Sequence, residues 1–342
     1  MIVLPHIGAG SGADVYVRRL ANGLTDLGLN VTTVQIPRRH EFLPWPMSGL
    51  SIPAEADTVI APSNFAFALP GRHYKLITYE HHCVFDPAYR PYRSVKQAVF
   101  HELALRWYEL ASFRRADAVV AVSAYTAESL RTTLGVDDVT VITNGIETDF
   151  FVPREGGKPP RQGRRFRLLY VGNMLRRKGF DLLPQIMTEL GDDFELLYTS
   201  GLRTSADDSP CANMFPLGRL SDEGLRDAYQ NADLLLFPTR FEGFGYAAAE
   251  AMACGTPVVA SDNSALPEVV QHGKTGLLCP TDDVGAFVSA IRGLSEDDSR
   301  RQEMGVAGAH IAQTNFGIRT MAETFKTLIC RLRSGAGLSD RR

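Results

Sequence analysis

Twice in this chain an apolar strand runs into a glycine turn and then into an amphipathic helix, and that repetition restricts the fold more than any other feature. The first copy is Ile2-Val3-Leu4, the loop Gly8-Ala9-Gly10-Ser11-Gly12, and a helix with Tyr16, Leu20, Leu24 and Leu27 at steps of three and four. Gly28 closes that helix, and residues 31–36 read as the next strand. The second copy is Arg167-Leu168-Leu169-Tyr170-Val171, a turn at Gly172, then Lys178-Gly179 and a helix from Asp181. Each copy opens a βαβ unit. Further buried strands are expected at residues 117–122, 139–142, 195–198, 233–237 and 257–260, alternating with helical segments. That order predicts an α/β protein with parallel sheets covered by helices.

A chain of 342 residues is longer than the roughly 250–300 that one core supports, so two domains are expected. Between the halves, residues 153–163 are rich in Gly, Pro and charge and lack apolar periodicity, which reads as a linker. The expected division is residues 1–152, a linker at 153–165, a second domain at 166–315, and a terminal helix with a frayed tail at 316–342. A net charge of -3 argues against a general nucleic-acid binder. Basic clusters at Arg38-Arg39-His40 and Arg114-Arg115 read first as a solvated rim and second as an attraction to anionic membrane. Five scattered cysteines without a Cys-x-x-Cys pair fit a reducing cytoplasm. With no run of 18 apolar residues and no basic leader, any contact with the inner face of a membrane is expected to be peripheral.

The chemistry concentrates in Glu242-Gly243-Phe244-Gly245-Tyr246-Ala247-Ala248-Ala249-Glu250. Gly243 and Gly245 allow the backbone to approach a ligand, and the N–H groups of the helix they open suit a diphosphate. Glu250 would stand about 7.5 Å further along the axis, a reach from diphosphate to ribose. Glu242, before the helix, would turn to the sugar. With the lead-in Pro238-Thr239-Arg240-Phe241 and the exit Gly255-Thr256-Pro257, this stretch resembles the donor-site signature of family-4 retaining glycosyltransferases. The resemblance implies the GT-B architecture, two Rossmann-like domains facing across a cleft, with the last helix crossing back to the first domain. It implies a hexosyl transferase that takes a UDP- or GDP-sugar and a saccharide, glycolipid or small-molecule acceptor, in cell-envelope polysaccharide or glycolipid synthesis.

Other segments extend the likeness. Gly172-Asn173-Met174-Leu175-Arg176-Arg177-Lys178-Gly179 is similar to the family's phosphate clamp, in which Lys178 would neutralise the leaving diphosphate. Asn173 stands where the family commonly has Arg, so the second cation falls to Arg177 or to Arg176. The resemblance assigns Glu242, with Gly243 and Phe244, to the sugar, Glu250 to the ribose, and the amides at Gly245 and Tyr246 to the phosphates. Lys75-Leu76-Ile77-Thr78-Tyr79-Glu80-His81-His82 ends a strand in two histidines, of which the family pattern favours His81 near the transferred sugar. Gly10 and Gly12 would meet a donor phosphate. Pro216-Leu217-Gly218-Arg219 resembles the edge that seats the nucleobase, with Gly218 and Arg219 on that side. Ser123 is expected to cap a helix, and Asn144-Gly145 to form a turn.

The Gly8–Gly12 loop departs from Gly-x-Gly-x-x-Gly, and Pro37-Arg38-Arg39 replaces the acid that should follow strand two, which argues against a nicotinamide cofactor. No metal site is expected, because the two histidines have no further Cys or carboxylate at ligand spacing and Asp207-Asp208 and Asp282-Asp283 read as solvated loops. The transferase is thus expected to work without metal or cofactor. A glycoside hydrolase would use two carboxylates but no phosphate clamp. A GT-B phosphorylase, a nucleotide-sugar epimerase and a noncatalytic sensor remain as alternatives. Phe65, Phe67, Phe85, Tyr89 and Tyr92 are either an acceptor groove or core.

Overall fold

The computed structural model of the chain describes residues 1–8, 12–41, 44, 47, 50–158, 163–199 and 211–335. The chain forms two compact units, one of Met1–Gly145 with Ile318–Arg342, the other of Ile146–Gly317. In the first unit β1 (Ile2–Ile7), β2 (Val31–Ile36), β3 (Thr58–Pro62), β4 (Lys75–Glu80), β5 (Ala118–Ala121) and β6 (Val139–Val141) form one sheet in the order β2-β1-β3-β4-β5-β6. Every pair in it is parallel. Helices α1 (Gly12–Asp26), α2 (Val95–Phe100), α3 (Arg106–Arg115) and α4 (Ala124–Leu134) join the strands, and a π turn at His101–Leu105 makes α2 and α3 one continuous helical run. Strand β5 is apolar and buried throughout and β4 is buried from Leu76 to Glu80, as expected of parallel strands covered on both faces. As expected, the Ser123 hydroxyl accepts the Thr126 N–H and caps α4, and Gly135 ends that helix in the left-handed region.

The second unit holds β7 (Phe166–Tyr170), β8 (Phe194–Thr199), β9 (Met214–Gly218), β10 (Leu234–Phe237), β11 (Val258–Ser261) and β12 (Gly276–Cys279), in the order β12-β11-β10-β7-β8-β9 and again parallel. Its helices are α5 (Leu183–Leu190), α6 (Asp222–Asn231), α7 (Tyr246–Ala253), α8 (Leu266–Val269), α9 (Val284–Glu296) and α10 (Asp298–Asn315). The chain then returns to the first unit as α11 (Ile318–Arg333), whose Met321, Ala322, Phe325 and Ile329 share one core with Tyr16, Leu20 and Leu24 of α1. Strands β3, β9 and β12 were not expected as such from their composition.

The division between the units differs from the expected linker. It falls at Gly145/Ile146, and residues 146–158 belong to the second unit. There Ile146 N–H donates to Phe316 O at 2.7 Å, Phe151 meets the Tyr229 ring edge at 6.1 Å, and Lys158 Nζ donates to Thr256 Oγ1 at 2.9 Å. Composition signals the absence of regular structure, not the absence of contacts.

Candidate functional site

In the second unit the strand order reverses between β7 and β10, because β8 and β9 lie to one side of that pair and β11 and β12 to the other. The loops leaving the carboxyl ends of β7 and β10 therefore diverge, and a crevice opens at such a switch point. The loop after β7 carries Gly172 to Gly179, and the loop after β10 carries Pro238 to Gly245. Both segments singled out in the sequence thus come to one place.

Backbone bonds lace the two loops together. Arg240 N–H donates to Arg177 O at 2.8 Å, and the Arg177 guanidinium donates to Phe241 O at 2.7 Å. Gly179 has φ 72°, and a Cβ there would lie 2.0 Å from Pro238 O, so the approach requires glycine. The result is a contact across 64 residues: Lys178 Nζ stands 2.5 Å from Glu242 Oε1, which also accepts the Thr239 hydroxyl at 3.0 Å. The side chains are 17% and 10% exposed, so little water screens the pair. Burial alone would raise the Glu242 carboxyl, but Lys178 and then Arg177 hold it below the usual carboxylate range. Burial pulls the Lys178 ammonium down, against the pull of Glu242.

Only two non-glycine residues among those described have positive φ, and both support these loops. Ser264, at φ 45°, accepts the Glu242 N–H at 2.9 Å. Asp282, at φ 67°, accepts Arg240 Nε at 2.5 Å. Arg240 is buried and also forks onto Asp181 at 2.6 and 3.0 Å. Asp282 and Asp283 are exposed in a loop, as expected, yet each has a partner, since Asp282 pairs with Arg240 and Asp283 caps α9 through the Ala286 N–H. Arg176 supplies its carbonyl to Arg240, and Asn173 is exposed, its carbonyl accepting the Tyr170 hydroxyl at 2.8 Å.

Helix α7 begins at this crevice. Gly245 caps it at φ 106°, where an added Cβ would approach Leu266 Cδ2 to 2.9 Å. The first amides of α7, including that of Tyr246, are thereby aimed at the loop end. Glu250 lies one turn on and is buried, with Oε2 accepting the Tyr229 hydroxyl at 3.2 Å from α6. The Phe244 ring is buried between Tyr246 at 5.6 Å and Phe316 at 5.4 Å, so any part it has in sugar binding falls to its backbone. Gly218, at φ 67°, and exposed Arg219 end β9, an edge strand two positions from β7. A separate cavity of about 380 Å³, lined by Lys158, Asp233 and Arg301 among others, lies at the amino-terminal end of β10, the opposite end of that strand from Glu242.

Within the first unit, His81 follows β4 with its ring edge-on to Tyr16 at 4.7 Å and Tyr79 at 5.2 Å. Its Nε2 is buried without a hydrogen-bond partner, and burial lowers its pKa to about 4, so the imidazole is neutral at pH 7. His82 instead lies against Tyr89 at 5.6 Å. Gly10 falls outside the described residues, whereas Gly12 is exposed at the first position of α1. Phe65 and Phe85 are core, which removes them from an acceptor groove. Arg115 is no solvated rim: its guanidinium donates to the carbonyls of Phe67 at 2.8 Å and Leu69 at 2.6 Å. Among the described residues no group of three His, Cys, Asp or Glu side chains is placed to hold a metal ion, and no helix is long and apolar enough to cross a membrane.

Sequence reasoning missed Tyr229, Ser264 and Asp181, which orient the site residues from a distance in sequence.

Residues 165–297 match the family described as glycosyl transferases group 1, and residues 54–150 match Glycosyltransferase Family 4. The alpha-maltose-1-phosphate synthase of Mycolicibacterium smegmatis is 28% identical over 305 residues, covering 79% of this chain and 78% of that protein. The GDP-mannose-dependent alpha-(1-6)-phosphatidylinositol monomannoside mannosyltransferase of the same organism is 31% identical over 237 residues, 63% of this chain and 62% of its own. The structure of sucrose-phosphate synthase from Thermosynechococcus elongatus superposes with a TM-score of 0.77 at 20% identity, over 98% of this chain and 99% of that one, a likeness that shows the fold.

Proposed function

Because this chain belongs to the group 1, family-4 glycosyltransferases and has their GT-B fold of two Rossmann-like domains, we propose that it moves a hexosyl group from a UDP- or GDP-sugar to an acceptor hydroxyl with retention of configuration. The observation that carries this reading is the Lys178–Glu242 pair at the switch-point crevice, beside the start of α7. When the bond between sugar and diphosphate breaks, negative charge grows on the phosphate and positive character on the ring. Lys178, with Arg177 near it, and the amides of Gly245 and Tyr246 answer the first. Glu242 answers the sugar hydroxyls once a phosphate has taken its place on Lys178, and Glu250 the ribose. Retention follows from attack on the face that the diphosphate leaves, a phosphate oxygen accepting the acceptor's proton, so no protein nucleophile is needed.

The acceptor is a saccharide, a glycolipid or a small molecule; relatives named for phosphoinositide mannosylation support a glycolipid, and with it a peripheral membrane contact and a role in envelope synthesis. The reaction is proposed to need no metal, because the cationic and N–H groups supply the charge. The test is incubation of the purified protein with UDP- and GDP-hexoses and a panel of acceptors, with and without EDTA. Release of nucleoside diphosphate with a product that keeps the donor's anomeric configuration, undiminished by EDTA, is expected. Sugar 1-phosphate formed only with added inorganic phosphate would mark a phosphorylase, epimerised donor an epimerase, and binding without turnover a sensor.

A further inference from the structure

The helical run α2–π turn–α3 buries one face and leaves an apolar stripe on the other. Phe113, Tyr108 and Leu105 enter the core of the first unit. Val95, Val99, Leu103 and Trp107 point outward at steps of four, 81%, 53%, 78% and 48% exposed. In an α-helix a step of four advances by about 40°, so four such residues would drift around the axis. The π turn at His101–Leu105 winds less per residue and offsets part of that drift, keeping the four nearly in line. A capping box between Ser94 and Gln97 fixes the outer end, and the Trp107 ring is held edge-on to Phe67 at 5.1 Å. The stripe is therefore preformed.

Its surroundings identify what covers it. From residue 90 to residue 115 the chain carries Arg90, Arg93, Lys96, Arg106, Arg114 and Arg115 against Glu102 and Glu109, six positive and two negative, or +4 in a chain whose net charge is -3. Arg90, Lys96 and Arg114 are exposed. A second copy of this chain meeting the first face to face would set two such basic segments against each other. An anionic surface with an apolar layer beneath it matches both features. We propose that this face docks the protein on anionic lipid, with Val95, Val99, Leu103 and Trp107 at the boundary of headgroups and acyl chains and Arg90, Lys96 and Arg114 among the phosphates. This deepens the peripheral contact proposed above and rests on that part of the reading alone, independent of donor chemistry.

The test is co-sedimentation of the full chain with vesicles of equal parts phosphatidylglycerol and phosphatidylcholine, and with phosphatidylcholine alone. Binding to the first is expected to be about tenfold or more stronger, and to weaken in about 0.5 M salt. In a Trp45→Phe background, Trp107 emission should shift to the blue on binding. Leu103→Glu should lower vesicle binding about tenfold or more, and Lys96→Glu should lower it too, with thermal midpoint and UDP or GDP affinity unchanged. Wild-type binding by Leu103→Glu overturns the proposal. So does a chain that ignores both vesicles and self-associates through a contact that Leu103→Glu abolishes. Lost vesicle binding with intact nucleotide affinity, or the reverse, separates failure at the surface from failure at the donor site.

Discussion

The Lys178 ammonium is paired with Glu242, and under the proposed reading a diphosphate that takes Lys178 as its partner would displace that carboxylate. Glu242 Oε1 lies 2.5 Å away, and Lys178 and Arg177 hold the carboxyl below the usual carboxylate range, so it is charged throughout the neutral pH region. Taking one charged hydrogen bond from Lys178 costs about 1.5–3 kcal/mol, and the displaced carboxylate then repels the arriving phosphates. Glu242→Gln removes both obstacles while keeping an acceptor for the Thr239 hydroxyl. We expect UDP or GDP to bind about 10- to 150-fold more tightly to the variant, the same 1.5–3 kcal/mol expressed as affinity, while transfer from the full donor falls. Loss of the counter-charge should also lower the stability of the free protein by about 1–3 kcal/mol, less than for a fully dry pair because both groups touch water. Saturating nucleotide should restore it. Isothermal titration with nucleoside diphosphate, thermal melts with and without it, and transfer rates measure the three effects. If Glu242→Gln binds free nucleotide no better than the parent, Lys178 is not the phosphate's partner and the clamp is wrong.

Four further substitutions probe the remaining contacts. Glu250→Ala should weaken donor and free nucleotide alike by about 1.5–3 kcal/mol, and Tyr229→Phe, which removes only the orienting hydroxyl, by about 0.5–1.5 kcal/mol; unchanged calorimetric affinity in both would take Glu250 out of the site. Lys178→Ala should reduce kcat more than donor affinity, since the charge it meets grows as the bond breaks, and equal losses would leave it a docking residue. Glu80 is buried beside Ser63, and burial pushes its carboxyl to about 7, against the hydrogen bonds from Ser63 and the His82 amide. An acid raised in the folded state favours folding while protonated, so stability is lost as pH rises from about 4.5 to about 7. Glu80→Gln should lose less over that window, by up to about 3 kcal/mol; equal urea midpoint changes between pH 5 and pH 8 would show that Glu80 ionises normally.

How much of this was legible depends on whether a residue's role is local. The two βαβ openings, the cap at Ser123 and the Gly245 start of α7 follow from short-range geometry, and strand and cap chemistry written in neighbouring residues predicts them. The Lys178–Glu242 contact could be expected only as two groups on one ligand. That they meet each other at 2.5 Å depends on Gly179 fitting under Pro238 O, a tertiary approach that no local pattern encodes. Arg240 illustrates the same limit. In sequence it was only part of the lead-in to the motif, whereas its guanidinium is held by Asp181 and Asp282, 59 residues before and 42 after it, and it acts by pinning the loops that present Lys178 and Glu242. The linker was misjudged for a related reason, because the contacts that bind residues 146–158 to the second unit come from Phe316, Tyr229 and Thr256. The outward stripe of α2 and α3 shows the reverse case. Val95, Val99, Leu103 and Trp107 form an apolar series at helical spacing, which in sequence is indistinguishable from a core face. Only the packing of Leu105, Tyr108 and Phe113 on the other side reveals that the core is already satisfied and that the series faces out. Where a helix has two apolar faces, composition cannot say which one the fold uses, and the unused face is the one that meets a partner.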